Sequence, residues 1–222
     1  MKRSVLLRLP RSVWLFFLIF LASDALPDAA IEGTVQLAKK AKAVPVQQRY
    51  QVNSTDQPAQ ADAPAAVVYL EGAFPAKSSD QQPPQMTQRN LQFMPGLLPI
   101  QVGTTVRFPN MDETYHNVFS YSKTKRFDLG RYRKDETPAE VTFEKPGVVK
   151  LYCEIHEHMR ATILVLETPY FTKTDPEGKY RLEKLPPGKH TLKVWIDENT
   201  VREHSVELKP GETVRVDSPG KD

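Results

Sequence analysis

The sequence is short of cysteine, glycine and long apolar runs, and each shortage excludes something. Cys153 is the only cysteine among 222 residues, so no intramolecular disulfide can form. Ten glycines against 19 prolines exclude a collagen-like chain and favour a β-rich protein punctuated by loops. No apolar stretch reaches the roughly 20 residues of a spanning helix. The longest, residues 13–22, holds ten. The body of the chain also lacks a charge excess. Lys2, Arg3, Arg8 and Arg11 precede residue 12, and Asp24 is the only acid before residue 26, so residues 26–222 hold 26 basic and 26 acidic side chains. Nothing electrostatic recommends nucleic acid or an anionic membrane as a partner.

What is present begins with an export signature. A basic stretch leads into the apolar run at 13–22, and Ser23-Asp24-Ala25 supplies the small residues of a cleavage site. Residues 1–25 are therefore expected to be a signal peptide, leaving no stable membrane span after cleavage. No cysteine follows the run to carry a lipid. A lone thiol in an oxidising compartment is prone to oxidation or mispairing unless something occupies it, so the neighbours of Cys153 matter.

Apolar periodicity predicts strands and no helix of ten residues. Short alternating or fully apolar runs fall at 31–37, 66–70, 91–93, 100–102, 105–108, 116–120, 141–143, 148–153 and 161–166. Residues 45–64 are rich in Gln, Pro and Ala and read as a loop, with a second polar stretch at 77–85. The spacing indicates an all-β sandwich. Beyond residue 168 the rhythm changes, with turns at Asp175-Pro176-Glu177-Gly178, at Pro186-Pro187-Gly188 and at Pro210-Gly211 between alternating segments. This is a second, smaller β unit. Residues 127–132 lie in a basic stretch with Lys123, Lys125, Arg126, Arg131, Arg133 and Lys134. They are read as a solvated loop in preference to a docking patch for an acidic partner. Asn53-Ser54-Thr55 matches a glycosylation sequon, a frequent chance match.

Three of the five histidines and the cysteine fall within 116–158, around Cys153-Glu154-Ile155-His156-Glu157-His158-Met159. Strand parity sends Val149, Leu151 and Cys153 to one face, so the thiol points inward at a strand end. A turn there brings His156 and Met159 back towards the sulfur, and His116 supplies a second imidazole. Two imidazoles, a thiolate and a weak axial thioether form the blue-copper ligand set. The thiolate and thioether favour Cu(I), while imidazole binds both oxidation states. If His158 ligated as well, the site would be more zinc-like. A Cys–His nucleophile is formally available with His116 or His156, but no third orienting residue or oxyanion motif accompanies it.

Residues 86–167 resemble a cupredoxin, the plastocyanin and amicyanin family. The likeness rests on Phe93-Met94-Pro95, on Ile100-Gln101-Val102-Gly103-Thr104-Thr105-Val106, on Asn110 six residues before His116, and on Cys153, His156 and Met159 spaced Cys-x2-His-x2-Met. The resemblance implies a Greek-key β-sandwich with one type 1 copper held by His116, Cys153, His156 and Met159. It further implies that Asn117 steadies the Cys153 loop. Thr174-Asp175-x-x-Gly178-x-Tyr180-x-Leu182 and Leu185-Pro186-Pro187-Gly188-x-His190-x-Leu192-x-Val194-Trp195 are similar to carboxypeptidase regulatory-like domains, which have a transthyretin-like β-sandwich. Gly33-Thr34-Val35 and Val67-Val68-Tyr69-Leu70 fit that domain's opening strands. The expected organisation is thus a cupredoxin domain at 86–167 nested in a regulatory-like sandwich of 31–72 and 168–217. The rival layout makes 31–85 an extension of the cupredoxin.

The expectation is an exported, periplasmic electron carrier and not an enzyme, in the manner of methylamine-utilisation-like proteins, with a cytochrome or dehydrogenase as redox partner. The alternatives are a copper-handling protein without electron transfer and a structural β protein with a vestigial site.

Overall fold

The computed structural model describes residues 27–38, 63–75, 82–137 and 139–220. The expected signal peptide, Asn53 and most of the 45–64 stretch lie outside these residues. Every regular element among the described residues is a β-strand, and none of them forms a helix long and apolar enough to cross a membrane. The first two strands are β1 (Ala29–Thr34) and β2 (Val67–Leu70). The middle of the chain carries β3 (Thr87–Arg89), β4 (Gln92–Met94), β5 (Leu97–Gln101), β6 (Thr105–Phe108) and β7 (His116–Tyr121). It continues with β8 (Arg126–Tyr132), β9 (Ala139–Thr142), β10 (Gly147–Tyr152) and β11 (Arg160–Leu166). The last part holds β12 (Phe171–Lys173), β13 (Lys179–Leu185), β14 (Gly188–Asp197), β15 (Thr200–Leu208) and β16 (Thr213–Arg215).

The middle strands make one sandwich. Its larger sheet runs β5-β11-β10-β7-β8, with β11 parallel to β5 and antiparallel to β10. Facing it are the β6–β9 pair and the β3–β4 hairpin, which bridges at Gln85–Arg107 and Gln88–Asn110 bring beside β6. Between the layers lies a core that includes Phe93, Phe108, Val118, Phe143, Leu151 and Ile163. Cys153 and Met159 belong to that core.

The outer strands make the other sandwich. One sheet runs β13-β1-β16 and the other β12-β2-β14-β15, and they close over Ile31, Val68, Leu70, Leu182, Leu192 and Val206. Residues 67–70 pair with β12 and β14, not with the strand that leads to Cys153. Gly33 permits the closest approach in this part: a Cβ there would meet the Val216 carbonyl oxygen at 1.8 Å. Only glycine lets β1 lie so tightly against the last strand.

Two strands are apolar on both faces because they are buried twice. On β11, Ile163 and Val165 point into the first core, while Leu164 and Leu166 meet Val67 and Trp195 in a third cluster between the sandwiches. On β2, Val68 and Leu70 serve the second core and Val67 the junction. Apolar runs without alternation are the sequence mark of such strands.

One expectation is corrected. Residues 127–132 are not a solvated loop; they form most of β8, an edge strand paired with β7. Phe127 and Leu129 alternate inward, as a half-buried strand requires. The basic side chains around it are largely matched: Lys125 pairs with Glu144, Arg131 with Glu154, Lys134 with Glu113, and Arg133 stacks over Tyr115.

Candidate metal centre

The site sits where β7 begins and β10 ends. His116 is the first residue of β7 and is fully buried. Its approach loop is shaped by Asn110, a buried amide that donates to the Thr114 and Tyr132 carbonyls and accepts from Asp112 N. Cys153 follows β10 on the inward parity of Val149 and Leu151, and all three are buried. A turn then closes with Met159 N donating to the His156 carbonyl at 2.9 Å. Asn117, next to His116, accepts from Glu154 N at 2.8 Å. That bond ties the strand bearing one histidine to the loop bearing the cysteine, the role the sequence resemblance implied for it.

Three donor atoms converge. Cys153 Sγ lies 3.9 Å from Nδ1 of His116 and 3.9 Å from Nδ1 of His156, and the two nitrogens are 3.1 Å apart. A point equidistant from all three is roughly 2.1 Å from each, within the range of about 2.0–2.3 Å for first-row metal bonds to nitrogen and sulfur. The donors are soft sulfur and borderline imidazole, with no carboxylate among them. The residues present therefore fit a thiophilic transition metal. Met159 is buried in the same core cluster as Cys153. His158 is outside the converging group: it is exposed, and its Nε2 lies 3.1 Å from the Leu91 carbonyl oxygen.

Electrostatics favour the ligating form of two of these donors, Cys153 and His156. Burial pushes the Cys153 thiol up, but His116 and the amides of Asn117, His156 and Ile155 outweigh it and hold the group below its ordinary value. The thiolate, the ligating form, is thereby favoured. His116 is depressed by burial, yet contact with Cys153 and Asp112 raises it overall. His156 is lowered, by burial first and then by the neighbouring imidazoles, which favours the neutral ring that ligates.

Asp112 is the residue that sequence reasoning missed. Its Oδ2 is 2.9 Å from His116 Nε2, and both side chains are buried. An ionised carboxylate only accepts, so Nε2 carries the proton and Nδ1 turns its lone pair to the converging point. The same carboxylate accepts from Asn90 N at 2.7 Å and Leu91 N at 3.0 Å. Burial raises Asp112, but these amides and His116 hold it below its ordinary value. A faint signal existed: an acid four residues before a predicted ligand histidine.

No protein-family model matches the chain, and no curated protein is detectably similar to it. Solved structures do resemble it. One is a copper-containing nitrite reductase from Thermus scotoductus, 29% identical with a TM-score of 0.38 over 44% of this chain. The match spans only 25% of that enzyme. An amicyanin mutant in the Cu(I) state is 18% identical, with a TM-score of 0.36 over 44% of this chain and 97% of its own. A purple cupredoxin from Nitrosopumilus maritimus is 32% identical, with a TM-score of 0.30 over 33% of this chain and 80% of its own.

Proposed function

We propose that the chain is an exported blue-copper protein that carries single electrons between periplasmic redox partners. The observation that carries this reading is the convergence of Cys153 Sγ, His116 Nδ1 and His156 Nδ1 at metal-binding separation in a buried, sulfur-containing site. His116, Cys153 and His156 would hold one copper ion, with Met159 as the weak fourth donor. Copper in such a set gains and loses one electron with little change of geometry.

The chain's own residues supply the rest. Asp112 orients His116, and Asn117 fixes the Cys153 loop. The core around Cys153 and Met159 excludes water and shields the thiolate from oxidation. His156 is only half-buried, so its ring edge is where a partner protein comes nearest to the site. Residues 86–167 act as the copper module, nested in a regulatory-like sandwich built from 31–72 and 168–217. The pairing of β2 with β12 and β14 supports that division. The outer sandwich presents the module to its partner, a cytochrome or dehydrogenase, and residues 1–25 direct export. No catalytic residue is assigned.

The test is spectroscopic. The mature protein charged with Cu(II) should show an intense visible charge-transfer band and narrow copper hyperfine splitting, and Cys153→Ala should abolish both. Reversible one-electron cycling would separate a carrier from a protein that merely hands copper on. A pale or copper-free protein would overturn the reading.

A further inference from the structure

We infer that His158 is a positioning residue, which locks the ligand loop to the tip of the β3–β4 hairpin and so fixes His116 and His156 relative to one another. The inference rests on the copper reading only for its spectroscopic consequences. The lock itself is a property of the chain.

Leu91 is the anchor of the lock. Asn90 and Leu91 form the hairpin turn with φ of 52° and 56°, a left-handed conformation that a leucine adopts only at a cost. Such a conformation persists where the surroundings over-determine it. Here Leu91 is gripped on both sides of its backbone. Its N–H donates to Asp112 Oδ2, which in turn accepts from His116 Nε2. Its carbonyl oxygen lies 3.1 Å from His158 Nε2. A carbonyl only accepts, so His158 must donate, and that fixes its tautomer. A closed circuit results: His116 to Asp112, to Leu91, to His158, then two residues back along the chain to His156, whose ring lies 4.8 Å from that of His116. The rings of His156 and His158 are themselves 6.1 Å apart, edge to face.

The His158 bond spans 67 positions and falls on the strained turn that also buttresses Asp112. A fourth metal ligand is the other reading of this extra imidazole. Its absence from the converging group and the engagement of Nε2 argue against it. What His158 does is restrain the loop that carries His156, so the two imidazoles are held together before any metal arrives.

The experiment compares His158→Phe, which keeps a ring beside His156 but cannot donate, with His158→Gln, which keeps an N–H donor. Amide hydrogen exchange at Asn90 and Leu91 is measured in the full-length mature protein without added metal. The Phe variant should raise exchange there at least tenfold while β14 and β15 are unchanged, and Gln should restore protection. After Cu(II) is added, the Phe variant should retain copper about tenfold less tightly, with a shifted reduction potential, and Gln should again restore both. Unchanged exchange at Asn90 and Leu91 in the Phe variant overturns the inference, as does a Gln variant that behaves like Phe. If the parent takes up no copper, the blue-copper reading fails, and the exchange comparison still decides the lock.

Discussion

Asp112 and His116 form a buried pair, with Oδ2 2.9 Å from Nε2, and the carboxylate reaches the hairpin turn as well as the imidazole. One side chain therefore does two tasks. It satisfies two amides of a strained turn, and it fixes which nitrogen of His116 is left to bind metal. The first task is not visible from residues 110–116 alone, because the turn lies 21 and 22 positions upstream.

Asp112→Asn separates the tasks by charge. The amide keeps one acceptor oxygen but cannot accept from Asn90, Leu91 and His116 together. Stability without metal should fall by about 1–3 kcal/mol, the cost of leaving buried donors unpaired. Copper affinity should fall about 10–100-fold, and the reduction potential should rise, because a less basic His116 stabilises Cu(II) less. Chemical denaturation and a potentiometric titration of the same variant measure both. Unchanged values would remove Asp112 from the site.

The residues that converge on the site were legible because chemistry and spacing agreed. Cys153 and His156 lie three positions apart with His116 at the start of a predicted strand, and strand parity alone turned the thiol inward. Asp112 was not legible, since a single acid in a polar loop has no chemical signature until a distant turn is folded against it. β8 was missed for a different reason. Edge strands pair on one side only and tolerate charge and glycine, so Arg126, Asp128, Gly130 and Arg131 masked the alternation of Phe127 and Leu129. The unbroken apolar runs at 66–70 and 161–166 mark strands in the sequence, the first of them buried. What they are buried against, a junction of Val67, Leu164, Leu166 and Trp195, required the tertiary fold.

Met159 distinguishes a ligand from a filler of the core. It is 1% exposed, so Met159→Ala should cost about 2–5 kcal/mol whatever its chemical role. Met159→Gln keeps most of the volume and substitutes a harder oxygen donor, which favours Cu(II). If the thioether is the axial donor, the Gln variant keeps the Cys153-dependent band and its reduction potential falls. Equal potentials in parent and Gln variant would leave Met159 with packing alone.

Asp217 gives the outer sandwich a pH dependence. Its carboxylate accepts from Thr34 N at 2.8 Å and pairs with Arg215, and Arg215 chiefly holds it below the ordinary carboxylate value. A carboxylate depressed in the folded state contributes stability that is complete above its unfolded pKa of about 3.9 and is lost as pH falls through the lower folded value. Asp217→Asn should therefore be less stable than the parent at neutral pH, and the two should converge in acid. Urea midpoints measured from pH 7 downward test this. A difference between parent and variant that stays constant with pH would contradict it.

Gly33 tests whether the two halves of the outer sandwich fold as one unit. A Cβ at this position would overlap the Val216 carbonyl oxygen, a backbone atom that cannot swing aside as a side chain would. Gly33→Ala must therefore push β1 away from the last strand, weakening the bonds from Val216 N to the Glu32 carbonyl and from Ser218 N to the Thr34 carbonyl. Overpacking of this kind costs about 1–3 kcal/mol, which lowers Tm by roughly 2–12 °C in a chain of this size. His116, Cys153 and His156 belong to the other sandwich, so the copper band of the folded variant should match that of the parent. A lowered Tm with an unchanged band supports a sandwich closed by residues from both ends of the chain around an independent copper module. An unchanged Tm would mean that β1 does not need the C-terminal strand, and a lost band would mean that the site depends on the outer sandwich for its geometry.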